Sequence, residues 1–477
     1  MKLKGKLLWP VLVLLAAGGT AWWWQGAGAR LAIVRETRPA GPDLSAVPDE
    51  LRARIAAAEA RAQGRRTAPK GLAELSRLYH ANGFLEEAKQ CYVGLERLDP
   101  GAARWPHLHA TILAGFGEIE PAVALWRRTV ELAPDYAPAR LRLGDCLLKS
   151  NHPGEAAAAY AEVLKRNPEN SYALLGLARI DLEAQRWDQA RERLEKVVNQ
   201  SHYALGYDLI VTLYERLGLK EQAASIRSST KASGAYREAP DPWLDELIEF
   251  CFDPYRLAVA AGVAPPAGAI KLLERAIAVQ PENVAYHFQL GCLAQTQGNL
   301  ALAHEQLESC TRLAPNFADA WAYLSALQAR QGNRAAAQRA LMTGLANCPE
   351  SPGLHLMRAR NLRADGQLAE AINEYRTSIL YRSNEPDAYV ELGNLLITAG
   401  QEKEGIALMR RALETDPGDP SALAALAFYA VTTGDEAEAR RWFARASLQP
   451  RVPAPQFAQL QAFYRQTFGH DWVPDRK

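Results

Sequence analysis

Residues 281–314 read PENVAYHFQLGCLAQTQGNLALAHEQLESCTRLA, and residues 315–348 read PNFADAWAYLSALQARQGNRAAAQRALMTGLANC. Each begins with proline, and each places a Gly-Asn step 17 residues later, at Gly298 and Gly332. The 34-residue spacing extends outward from these two stretches: Gly366, Gly400 and Gly434 keep it downstream, and Gly83 and Gly117 share it upstream. Proline keeps it independently at Pro100, Pro134 and Pro168, then at Pro281, Pro315 and Pro349, with Pro417 two periods later. Two residue types holding one period mark an internal repeat.

Each repeated residue has a mechanical reason. Apolar residues at i, i+3, i+4 and i+7 predict two amphipathic helices per repeat. Glycine accepts the positive φ of the turn where the first helix ends, and proline cannot continue the second. The second helix carries an Ala-x3-aromatic step at Ala88–Tyr92, Ala122–Trp126, Ala156–Tyr160, Ala371–Tyr375 and Ala439–Phe443. The small residue lets the paired helix approach and the ring fills the space beside it. First halves are looser, as in Trp321-x2-Leu324 and Tyr389-x2-Leu392-Gly393. One such pair cannot bury its own apolar faces, so neighbours must stack. No stretch alternates with period 2, and almost no β-structure is predicted.

The pattern resembles the tetratricopeptide repeat (TPR) family over roughly residues 69–453. With the head described below, the chain is similar to bacterial membrane-anchored TPR proteins. The resemblance implies an all-α, right-handed solenoid of about ten to eleven helix pairs, one of them degenerate, behind an N-terminal transmembrane or signal helix. It also implies a partner-binding surface lined by the first helix of each unit. Inward places in the second half hold Phe288, Leu356, Val390 and Phe428 as an apolar floor, with Arg360, Arg363 and Asn394 as polar anchors. Such a floor suits an extended or helical protein segment held by packing and a few charge-assisted bonds. In the first half the same places include His107 and Asp145. The Lys and Asn set of the family's carboxylate-clamp subclass is not supplied.

The register breaks once, between Pro168 and Pro281. There the segment SSTKASGAYREAPDPWLDELIEFCFDPYRLAVAAGVAPP carries two Asp-Pro-aromatic steps, Asp241-Pro242-Trp243 and Asp253-Pro254-Tyr255. Asp as N-cap with Pro at the first helical position starts a helix each time. Asp241 and Asp245, and likewise Asp245 and Glu249, lie four apart on one helix face. That acidic face fits a cation or a basic peptide, and equally a solvated helix start. Trp243 and Phe250 serve to plug this helix onto the solenoid.

The head is a different device from the body. Lys2, Lys4 and Lys6 precede the uncharged run LLWPVLVLLAAGGTAWWW, Leu7–Trp24, about 27 Å as a helix against a hydrocarbon core of about 30 Å. It reads as a membrane anchor with an interfacial Trp belt, or as a cleaved signal peptide ending at small residues. Either reading puts the body outside the cytoplasm, on the periplasmic side of a bacterial inner membrane. Residues 25–48, rich in Gly, Ala and Pro, read as a tether. The expected organisation is therefore a membrane segment over 1–24, linker and leading helix over 25–68, and a TPR array over 69–227. An irregular helical insert over 228–264, a second array over 265–453, and a capping helix and tail over 454–477 follow.

The total charge of +1 over 477 residues conceals +7 in residues 1–70 and hence −6 in residues 71–477. An acidic body argues against nucleic acid as partner. No phosphate loop, dinucleotide fingerprint, zinc-protease or nucleophile-elbow motif occurs, so no catalytic, cofactor or metal site is expected. His107 and His109 point to opposite sides of a helix and cannot share a metal ion. Cys310 takes a small buried place, and a bridge to Cys348 on the neighbouring second helix stays open. The function these features support is a membrane-tethered scaffold for protein partners. A subunit of an envelope assembly for polysaccharide export, pilus biogenesis or cytochrome maturation is the alternative, and a TPR-linked enzyme the least supported.

Overall fold

The computed structural model describes residues 26–200, 203–228, 239–381, 386–449 and 454–473. The membrane segment over 1–24 lies outside them. Among the described residues no helix is long and apolar enough to cross a membrane, and no strand occurs. The chain divides into two compact units, up to Ala260 and from Ala261 onward.

In the first unit a helix over 26–37 (α1) and α2 (Asp49–Gln63) precede five helix pairs. The pairs are α3 (Ala68–Ala81) with α4 (Leu85–Leu98), α5 (Arg104–Gly115) with α6 (Ile119–Leu132), and α7 (Ala137–Lys149) with α8 (Pro153–Arg166). Then come α9 (Ser171–Glu183) with α10 (Trp187–Gln200) and α11 (Ala204–Arg216) with α12 (Lys220–Ser228). The unit closes with α13 (Pro242–Asp245), a 3-10 turn over Glu246–Phe250, and α14 (Pro254–Ala261) at its boundary.

The second unit opens with α15 (Pro266–Val279), which carries Ala269 as the repeat pattern requires. Its pairs are α16 (Val284–Thr296) with α17 (Leu300–Leu313), α18 (Ala318–Arg330) with α19 (Arg334–Asn347), and α20 (Pro352–Ala364) with α21 (Leu368–Tyr381). Next are α22 (Pro386–Thr398) with α23 (Glu402–Thr415) and α24 (Pro420–Thr432) with α25 (Glu436–Ser447), closed by α26 (Ala454–Phe468). The cap is apolar where it docks: Leu460 and Tyr464 are buried with Phe443 and Trp472.

The 34-residue period is now visible as geometry. Gly332 turns at φ +78°, and its equivalents Gly298, Gly366, Gly400 and Gly434 do likewise. The same turn is made without glycine at Asn151 (φ 60°) and Gln185 (φ 57°), one and two periods after Gly117. A second periodic bond was not legible in the sequence. His287, Trp321 and His355, 34 apart, each place a ring nitrogen on the carbonyl six residues earlier, Pro281 at 2.9 Å, Pro315 at 2.8 Å and Pro349 at 2.8 Å. Each bond satisfies a loop carbonyl beside a helix start. In the first unit Arg140 Nε does this for Pro134 at 3.2 Å. The aromatic of the second helix fits as expected: Tyr160 is buried between Gly144 and Gly176, where a Cβ would stand 2.6 and 2.4 Å from its ring.

One expectation is corrected, and one open question is answered. The tether over 25–48 is helical over 26–37, because its apolar side docks: Val34 is fully buried and Thr37 packs where Gly94 of α4 leaves room. The bridge between Cys310 and Cys348 does not form. Both are free thiols, with Sγ directed at the carbonyls of Val284 (3.6 Å) and Pro315 (3.7 Å).

Candidate functional site

The insert does not stand apart from the first array; it lies across its first helices. Asp241 caps α13 as its sequence position required, with its carbonyl and carboxylate both accepting from Leu244 N–H. The acidic face expected of Asp241, Asp245 and Glu249 is not assembled. The helix tightens to 3-10 after Asp245, which breaks the four-residue register, and Asp241 turns inward to 1% exposure while Asp245 and Glu249 stay at the surface.

Three donors from α5, α7 and the loop before α7 meet the Asp241 carboxylate. His107 Nε2 lies 2.8 Å and Arg142 Nε 3.0 Å from Oδ2, and Tyr136 Oη donates to Oδ1 at 2.6 Å. Burial alone raises this carboxyl, but the His107, Tyr136 and Arg142 contacts outweigh it and hold it well below the usual carboxylate range. Tyr136 is pushed upward, by its own burial first and then by donating to Asp241. His107 is fully buried, and with Asp241 ionised its Nε2 carries the hydrogen.

Aromatic packing completes the seat. Trp243 stacks on Tyr136 at 3.7 Å between centroids and 14° between planes, and its backbone N–H donates to Tyr136 Oη at 3.0 Å. His107 meets both rings edge-on, at 5.3 and 5.5 Å. Further along, Asn82 at the end of α3 clamps the insert backbone. Its Nδ2 donates to Phe250 O at 2.8 Å, and Phe252 N–H donates to its Oδ1 at 2.6 Å. Arg77 and Arg54 sit 5.3 and 5.6 Å from the Phe250 ring. Arg256 Nη1 reaches the Ala81 carbonyl at 3.1 Å, supplying a donor to the end of α3. Next to it His80 is held down to about 3 by burial and by Arg256.

His107 and His109 serve separate carboxylates, Asp241 and Glu96, the latter at 2.8 Å. Of this seat, sequence reading had Asp241, Trp243 and His107's inward place; it missed Tyr136, Arg142 and Asn82. Asn82 had a signal, since a polar residue just before the turn glycine sits at a helix end. Arg142 and Tyr136 had none.

In the second unit the expected floor residues occupy different situations. Leu356 and Val390 are buried in the core. Arg360 and Arg363 both turn to Glu391, with Arg360 Nε at 2.8 Å and Arg363 Nη1 at 3.7 Å. Glu391 also accepts from Tyr375 Oη at 2.8 Å. Phe288 packs edge-on against Phe317 and Tyr323, at 4.9 and 5.2 Å. Asn394 and Phe428 come together in a cleft of about 630 Å³ between α22, α24 and α26, lined also by Ile397, Glu402, Tyr429 and Phe463. Phe428 is 52% exposed and stacks on Phe463 at 4.9 Å, so the capping helix forms one wall.

Comparison with known proteins places tetratricopeptide repeats in both units. One tetratricopeptide repeat profile matches residues 150–205 and 398–462, and a second matches residues 288–352 and 356–420. Among solved structures, yeast Tom70 is 15% identical with a TM-score of 0.40, covering 85% of this chain and 96% of that one. PilW, a type IV pilus biogenesis factor, is 18% identical at 0.35, covering 40% and 87%. MamA is 22% identical at 0.27, covering 32% and 83%. At these identities and scores the likeness adds nothing about function. No curated protein matches the chain.

Proposed function

From tetratricopeptide repeats in both units, we propose that this chain is a membrane-tethered scaffold for protein–protein interaction, with the cleft at Asn394 and Phe428 as a docking place. The observation that carries the reading is Phe428, a large ring half exposed in a cleft of about 630 Å³ beside Asn394 and Glu402. Apolar anchors in a pocket with a few polar neighbours are what a partner segment needs. Val390 packs in the same core as Ala424 and Leu460 of the cleft wall, and the Glu391 pairing of Arg360 and Arg363 fixes α20 against α22. Tethering follows from the run Leu7–Trp24 and the three lysines before it, which orient the body to the periplasmic side.

The docking test is site-specific photo-crosslinking in cells with a photoreactive phenylalanine at position 428, and at Lys403 on α23 as control. A light-dependent adduct at 428 and none at 403 is expected; equal labelling at both sites would sink the docking reading. Tethering is tested by fractionation. The full chain is expected in the membrane pellet and a chain starting at residue 26 in the soluble fraction, whereas an unchanged distribution would refute it.

A further inference from the structure

The first-helix face of the first unit is covered by the chain's own residues 239–252, and they sit on it the way a bound peptide sits on a receptor. The short helix α13 at the segment's centre buries none of its side chains. The segment runs against the order of the array. Ala239 packs on the cluster around Leu141, Asp241 and Trp243 sit on α5 and Tyr136, and Phe250 reaches α3 and the α2 residue Arg54. Its backbone is held by two receptor side chains, Tyr136 and Asn82, and its side chains are read by three donors, one stacking ring and two guanidinium groups.

We propose that this face is a receptor for acidic–Pro–aromatic segments, that residues 239–252 are its built-in occupant, and that a partner protein carrying an Asp-Pro-aromatic segment docks there by displacing it. The chemistry of the partner follows from the seat. His107, Tyr136 and Arg142 aim three donors at one desolvated point, so the occupant must bring an anion there; a neutral apolar side chain leaves them unsatisfied. Tyr136 then offers a ring face and a hydroxyl acceptor two residues on, which an aromatic residue with a free N–H fills. The residue between stays exposed and donates nothing in the seat, which suits proline.

Helix capping alone does not account for Asp241. The chain holds the same step at Asp253-Pro254-Tyr255, where Asp253 Oδ1 accepts from Arg256 N–H at 3.0 Å. There Tyr255 is left 70% exposed. One copy of the motif is capped and seated, the other only capped, and the receptor side chains make the difference.

The test uses the full chain in detergent and a fluorescent synthetic peptide of residues 239–253 with Cys251→Ser. In the intact chain the tethered occupant competes at an effective concentration on the order of millimolar. The double variant Asp241→Ala, Trp243→Ala vacates the seat and is expected to bind the peptide at least about tenfold tighter than the intact chain. Asp241→Asn in the peptide, or Arg142→Ala added to the chain, should each remove most of that binding. Equal affinity for both chains, or for the Asp and Asn peptides, overturns the proposal. So does an intact-chain dimer that dissociates in the double variant, which would make a second copy the occupant. Should the double variant lose helicity, amide exchange of the intact chain decides: peptide at about 2 mM, near the effective concentration, should deprotect Leu244 and Phe252, and unmoved protection refutes displacement. The Phe428 cleft lies in the other unit, so its crosslinking test and this one fail independently.

Discussion

Replacing Asp241 by alanine removes the one anion that three buried or half-buried donors share, and its cost can be worked from the seat. Deleting one partner of a buried ionic cluster costs about 3–5 kcal/mol, because the remaining groups stay desolvated. His107 is fully buried, whereas the Arg142 side chain is 20% exposed and can turn to water. The lower end, about 3 kcal/mol, is therefore expected. In a repeat array each unit touches only its neighbours, so the loss should appear locally, as easier opening of residues 241–252. The assay is amide hydrogen exchange read by mass spectrometry. About 3 kcal/mol corresponds to roughly 150-fold faster exchange of the Leu244 and Phe252 amides, or to full loss of protection where opening costs less than that. Helix α10 serves as control and should not change. Asp241→Asn keeps an oxygen for Tyr136 and for the cap, so about half the effect is expected. Acceleration of less than threefold in Asp241→Ala, about 0.6 kcal/mol, would refute the carboxylate as the anchor of the insert.

The same carboxyl fixes a pH dependence. Its folded value is depressed by His107, Tyr136 and Arg142 despite burial, while the unfolded group titrates near about 3.9. Its stabilisation is thus complete above that value and is lost as pH falls through the folded one. Protection of residues 241–252, corrected for intrinsic exchange, should persist at about pH 5 and decline only below about pH 4, whereas Asp241→Asn should lack this decline. Gly176→Ala puts a Cβ 2.4 Å from the Tyr160 ring, so overpacking of about 1–3 kcal/mol outweighs the helix gain of about 1. Gly115→Ala, with nothing within 4 Å, should be neutral or slightly stabilising; exchange in α5 to α9 separates the two. Native thiol titration should modify the partly exposed Cys292 and Cys348 first. Cys310, pushed up to about 12 chiefly by burial, should react only on unfolding, and no Cys310–Cys348 bridge should form without reductant.

The parts of the molecule readable from sequence are those whose causes are local. Gly332 needs only its own φ, and Tyr160 needs only the small residues one helix away on either side. Asn151 and Gln185 show the limit of that reading. They make the glycine's turn with a Cβ, at a cost of about 1 kcal/mol each that the flanking helices absorb, and the glycine spacing alone passes over them. The groove candidates show another limit. Arg360 and Arg363 lie on α20, but whether a guanidinium meets a partner or Glu391 depends on a residue one repeat later.

By itself the sequence determined the helix pairs, their turns, the stacking register and the break in it, because a 3.6-residue apolar period and a 34-residue repeat are properties of neighbouring residues. It also determined that Asp241 starts a helix, since an N-cap is a local bond. Only the tertiary structure decided where that helix goes. Asp241 meets His107 across 134 residues, Tyr136 across 105 and Arg142 across 99, and Asn82 meets Phe252 across 170. Stacked first helices bring those donors to one face, and a desolvated carboxylate is stable only where several of them converge.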